Sequence, residues 1–201
     1  MSRLLAYEFL SLDGHFEGPE GHEMDFVTQR FSRGIEEDLA AQYGEVSAFV
    51  MGRTTFDSLA GYWPTAAAAE EYLVDYMNAM PKLVVSNTTD VSAWPNSEHL
   101  GPDWMSALAE RKKTDTADLM IIGSASVVRE LTARRLIDEY RILLFPHVLG
   151  AGRPLFAAGK EGGAGIELTL TDLRRHDHGV LELRYQPTGG PDSAAEPPRL
   201  S

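Results

Sequence analysis

No cysteine occurs in the 201 residues, which excludes disulfides, thiolate metal sites and cysteine nucleophiles. Basic residues are scarce: 18 Lys and Arg stand against 30 Asp and Glu, the formal charge is -12, and no basic cluster is longer than Arg111-Lys112-Lys113. Nucleic acid and anionic membrane both need concentrated positive charge, so neither is expected as a partner. A small anionic ligand needs only one local positive spot and stays possible. No apolar run approaches the length of a membrane span, and Glu8 falls inside what would have to be the apolar region of a signal peptide. The expectation is a cytoplasmic protein. With 43% hydrophobic residues, the chain can fill an ordinary buried core.

The most informative stretch is Ala48-Phe49-Val50-Met51-Gly52-Arg53-Thr54-Thr55-Phe56-Asp57-Ser58-Leu59. An apolar run suited to a buried strand breaks at Gly52, and apolar residues then resume at helical spacing. A strand turning directly into a helix leaves the first helical N–H groups unpaired at the positive end of the helix dipole, which makes an anion site. Arg53, Thr54 and Thr55 stand where a guanidinium and two hydroxyls would add donors. The plainer alternative is a junction with Thr54 or Thr55 as an ordinary N-cap. Leu119-Met120-Ile121-Ile122-Gly123-Ser124-Ala125-Ser126 repeats the pattern, and two such junctions on one sheet edge could hold two parts of a dinucleotide.

Residues 3–10 read as a central strand, apolar on both faces. The glycine-rich loop from Ser11 to Gly21 follows; its Asp13-Gly14 pair is also compatible with a plain tight turn. Helices are expected over 25–43, 66–80 and 103–113, and strands at 82–87 and 136–145. Two alternating segments, Ile166 to Leu170 and Leu181 to Tyr185, flank Asp177-His178-Gly179 and predict an antiparallel hairpin. The fold class is therefore α/β: a mixed, mostly parallel central sheet with helices on both faces and a C-terminal antiparallel hairpin. One domain is expected over 1–187, followed by a disordered tail over 188–201 where apolar residues nearly vanish. His15, His22 and His147 lack metal-ligand spacing, so no metal site is expected. Lys82 and Arg129 read as solvated.

In order along the chain, Ser11-Leu12-Asp13-Gly14, Met51-Gly52-Arg53-Thr54-Thr55-Phe56, Ile122-Gly123-Ser124-Ala125-Ser126, Leu136-Ile137-Asp138-Glu139 and Pro146-His147-Val148-Leu149-Gly150-Ala151-Gly152 resemble the dihydrofolate reductase superfamily. Within it, the chain is most similar to the C-terminal reductase domain of bifunctional riboflavin-biosynthesis deaminase–reductases. The resemblance implies hydride transfer from NADPH to a small heterocyclic substrate of pyrimidine or pterin type. It implies a cofactor site made by Ala6, Gly52, Arg53, Thr54, Thr55, Ser86, Gly123, Ser124, Ala125 and Ser126, with Asn87 beside Ser86. It places the first-strand loop beside the nicotinamide, so Asp13 is the first proton-handling candidate, Glu17 the second and Asp38 the third. It also implies a homodimer. The Pro-Trp pair that dihydrofolate reductase carries ahead of its first helix is missing, and Leu39-Ala40-Ala41-Gln42 stands where the riboflavin-pathway reductase has basic residues. A nucleotide-binding or regulatory protein without turnover is the alternative reading. No G-x-G-x-x-G follows a strand, so the Rossmann fingerprint is not present.

Overall fold

The computed structural model describes residues 2–156 and 165–188; most of the expected tail, 189–201, lies outside the described residues. Strands are β1 (Leu4–Ser11), β2 (His15–Glu17), β3 (Val46–Gly52), β4 (Lys82–Val85), β5 (Ser97–His99), β6 (Asp118–Ile121), β7 (Glu139–Phe145), β8 (Arg153–Pro154), β9 (Leu168–Arg175) and β10 (Leu181–Pro187). Helices are α1 (Asp25–Thr28), α2 (Arg33–Tyr43), α3 (Arg53–Ala60), α4 (Val74–Ala79), α5 (Trp104–Thr114) and α6 (Ala125–Ala133). Eight strands form one sheet in the order β5-β4-β3-β6-β1-β7-β10-β9, and β2 pairs with β8 beside it. The first six of that order run parallel, while β10 and β9 are antiparallel to their neighbours, as the alternating C-terminal segments predict.

The central position of β1 follows from its two apolar faces. Leu5 and Tyr7 join a core with Phe26, Ile35, Leu39, Tyr43 and Phe56 from α1, α2 and α3. Leu4, Ala6 and Leu10 join a second core on the opposite face with Leu108 of α5 and Val127, Val128 and Leu131 of α6. Helices therefore cover both faces, and every strand between β4 and β7 is shielded twice.

Local expectations are corrected in five places. The helix over 25–43 is interrupted between Gln29 and Ser32, because Ser32 takes an extended backbone (φ -103, ψ 161) as the N-cap of α2. The helix over 66–80 is a 3-10 turn at Ala66–Ala68 followed by the short α4. The strand from 136 begins only at Glu139, after a turn through Arg135 at φ 55. Lys82 is not solvated: it is wholly buried, its Nζ donates to the carbonyls of Asn78 and Pro95 at 3.0 Å each, and it lies 4.3 Å from the Trp94 ring centroid. Arg129 likewise turns inward, with Nε donating to Leu155 O at 2.6 Å and a second guanidinium nitrogen donating to Pro154 O.

Candidate functional site

The carboxyl ends of β3 and β6 open into α3 and α6 through Gly52 and Ser124, the residues preceding each helix. Both take the same extended conformation (φ -81, ψ 166 and φ -93, ψ 164), and neither supplies a side-chain cap. Each helix thus presents its first N–H groups without a capping oxygen, at the positive end of the dipole. The alternative, Thr54 or Thr55 as an ordinary N-cap, is not what the structure shows: Gly52 holds that position and both threonines lie inside α3.

The two junctions interlock. A Cβ built on Gly52 would lie 2.0 Å from Ser124 Oγ, and one built on Gly123, at φ +74, would lie 2.9 Å from Thr55 Oγ1. Each glycine makes room for a hydroxyl side chain from the other junction, so both helix ends are held at one spacing. Gly52→Ala should destabilise the fold by about 1–3 kcal/mol through this overlap. Ser124→Ala in the same chain should restore most of the loss. Denaturant midpoints of the two single variants and the double variant would read the coupling; strict additivity would refute the contact.

Beside the junctions lies an open cleft of about 710 Å³, of the size that small-ligand sites occupy. Gly52, Arg53, Thr54, Ser124 and Ser126 line it, together with Trp104. Arg134 also borders it but is paired to Glu130 at 2.8 Å, whereas Arg53 has no ion pair among the described residues. A hollow of about 270 Å³ continues the cleft past Ser86, Asn87 and Trp104. Hydroxyls, uncapped N–H groups and one unpaired guanidinium form a donor set suited to a polyanion.

Other expected cofactor residues are placed differently. Thr55 packs against Gly123. The Ser86 hydroxyl accepts from the Thr88 and Thr89 N–H groups, at 3.2 and 3.1 Å, and so shapes its own turn. Ala125 and Ala6 are fully buried in the core, with Ala6 paired to Ile121 and Tyr140. Neither alanine side chain reaches the cleft.

The expected proton-handling residues are committed elsewhere. Asp13 accepts from Ser11 Oγ (2.7 Å), Leu149 N (3.1 Å) and Gly150 N (2.7 Å), and its Oδ2 lies 3.4 Å from His15 Nδ1. The Ser11 hydroxyl and then the Gly150 amide hold its carboxyl far below the usual range, so it stays ionised and pins two loops together. Glu17 pairs with Arg153 at 2.8 Å. Asp38 pairs with Arg174 and lies 3.7 Å from His176, whose other nitrogen lies 3.7 Å from Glu182. The ligand atoms of Asp38, His176 and Glu182 fall within 4.8 Å of one another, but Arg174 and Arg184 already neutralise the two carboxylates.

Sequence reasoning missed Glu8. It is 5% exposed, its Oε1 accepts from Gly123 N at 2.9 Å, and burial raises its pKa to about 8 against the lowering effect of that bond. A lone acid at the centre of a strand apolar on both faces was the available signal. Trp104, at the start of α5, and Arg134, at the far end of α6, were missed as well, since neither stands in a junction motif.

The sheet order, the helices on both faces and the terminal hairpin define an α/β protein of the dihydrofolate reductase-like class. Among solved structures, a putative riboflavin biosynthesis protein from Shewanella sp. PV-4 is similar at a TM-score of 0.73 and 20% identity, over 92% of this chain and 98% of that one. The Thermotoga maritima diaminohydroxyphosphoribosylaminopyrimidine deaminase/5-amino-6-(5-phosphoribosylamino)uracil reductase is similar at 0.67 and 12% identity, over 92% of this chain and 56% of that one. The chain belongs to the RibD C-terminal domain family, which matches residues 4–181. The uncharacterized protein YyaP of Bacillus subtilis (strain 168) is 26% identical over 189 residues, covering 93% of this chain and 96% of its own length.

Proposed function

We propose that this protein is a cytoplasmic NADPH-dependent reductase that transfers a hydride to a small heterocyclic substrate of pyrimidine or pterin type. The observation that carries the reading is the pair of interlocked, uncapped helix N-termini beside the unpaired Arg53 on one cleft. Family membership and the reductase named among the structural neighbours support it. NADPH would supply the hydride. Arg53, Thr54 and Ser126 would hold its phosphates, and Trp104 would wall the cleft towards the Ser86 hollow. Assembly into a homodimer through the C-terminal strands belongs to the same reading: β9 is an edge strand with Leu170 and Leu173 exposed, a template for a second copy.

A second reading, nucleotide binding without turnover, is favoured by the engagement of Asp13 and Glu17 in loop contacts. Thermal stability with and without NADPH tests what both readings share. At a hundred times its dissociation constant the ligand should stabilise by about 2.7 kcal/mol. Arg53→Ala should weaken binding by about ten- to a hundredfold, the effect of losing one charge-assisted contact of about 1.5–3 kcal/mol. No shift with NADPH would sink both readings, and turnover with any heterocyclic acceptor would decide between them.

A further inference from the structure

β1 and β6 stay paired only as far as Ala6 opposite Ile121. Beyond that point β1 runs on beside β7 to Ser11, so on its β6 side its last residues face no strand. Glu8 stands at the first position past this parting whose side chain shares the face of Ala6. The carboxyl ends of strands are where open α/β sheets bind ligands. Gly123, to which Glu8 is bonded, directly precedes Ser124 of the cleft wall.

Among the described residues nothing near Glu8 compensates a charge. On its own strand it stands between Ala6 and Leu10, on β7 it is paired with Ile142, and α6 covers this face with Val127, Val128 and Leu131. The charged residues of α6 are turned away, Arg129 to the Pro154 and Leu155 carbonyls and Glu130 to Arg134. Gly123 N–H is the single donor to Oε1, and Oε2 has no hydrogen bond among the described residues. A buried carboxyl with one N–H partner and no cation is stable in its neutral form, which keeps a proton to give.

Resting on the reductase reading, we propose that Glu8 is the proton-carrying residue of the site: anchored at Oε1 by Gly123, it delivers a proton from Oε2 to a carbonyl or imine acceptor bound where β6 ends. The O–H bond at Oε2 breaks, and an O–H or N–H bond forms on the acceptor heteroatom. The acceptor carbon receives the hydride from a reduced nicotinamide dinucleotide, which is oxidised. The carboxylate left behind recovers its proton from water. Asp13, held ionised, takes the part of a loop anchor.

The test is a pH titration of the full chain with 13C-carboxyl-labelled glutamate, beside Glu8→Gln, with NADPH affinity measured at pH 6 and pH 9 for both proteins. One carboxyl should remain protonated at neutral pH and titrate near pH 8, absent from Glu8→Gln. The Gly123 amide 15N shift should follow the same midpoint, which keeps the titration readable in the unmodified protein if the variant does not fold. NADPH affinity should fall about tenfold from pH 6 to pH 9 in the unmodified protein, because an ionised Glu8 repels a polyanion, and stay level in Glu8→Gln. NADPH binding to both proteins with every glutamate titrating below pH 6 would overturn the role of Glu8 alone. Binding to neither at any pH would overturn the reductase reading, and the proposal with it.

Discussion

Gly152→Ala is expected to lower stability by about 2–5 kcal/mol, the sum of a steric overlap and a strained backbone. Gly152 sits at φ +118, and a Cβ there would lie 2.2 Å from Glu17 O and 3.0 Å from two Gly18 backbone atoms. Backbone cannot rotate away as a side-chain tip can, so the β2–β8 pair must open. The Glu17–Arg153 ion pair would separate with it. Denaturant midpoints would measure the global loss, and amide exchange at residues 15–17 would show whether opening is local. A midpoint within about 0.5 kcal/mol of the unmodified protein, the ordinary range for surface changes, would refute the contact.

Trp94→Ala should cost about 3–5 kcal/mol, as for other fully buried aromatic side chains. Trp94 has no exposed surface, its Nε1 donates to Asn78 Oδ1 at 2.7 Å, and its ring lies 4.3 Å from Lys82 Nζ. The substitution therefore opens a cavity, strands the Asn78 acceptor and removes the π-face beneath a buried ammonium. Lys82 adds a pH signature. Burial lowers its pKa to about 8 from 10.5, so between these values the unfolded chain binds more protons and stability rises with pH. The gain is lost at still higher pH, because Tyr7 and Tyr43 are raised above their usual 10.0 by burial and ionise more readily once unfolded. Urea denaturation at pH 8 and pH 9.5 should show the rise in the unmodified protein, and a level response in Lys82→Met.

The longer strands of the main sheet and the two glycine junctions were legible because each is written in consecutive residues, an apolar run and, at the junctions, a glycine followed by apolar residues at helical spacing. The short β2 and β8 fall in stretches that read as loop and connection. The break between α1 and α2 was not, since apolar residues keep a helix-like rhythm across Gln29–Ser32 while only the local backbone departs from it. Lys82 and Arg129 were misread for a different reason. A cation reads as solvated unless carbonyls converge on it, and here those carbonyls come from Asn78, Pro95, Pro154 and Leu155, brought near by the fold. In the site, Gly52, Arg53, Thr54, Ser124 and Ser126 were recoverable from the junction pattern. Thr55 and Ala125 share that pattern but turn to another glycine and to the core, while Ser86, implied only by the resemblance, shapes its own turn. Glu8 was visible as an oddity, but its bond to Gly123 joins strands whose pairing the sequence does not display.

The insertion of Ser124 against Gly52 and of Thr55 against Gly123 also constrains the order in which this chain can drift. Alanine at position 52 forces the Ser124 hydroxyl to turn out of its place, so Ser124→Ala is the permissive step and the reverse sequence passes through a strained intermediate. At position 123 smaller neighbours do not suffice, because its positive φ still demands glycine. Of two junctions that look like copies, one can therefore take a small side chain in two moves, and the other is locked.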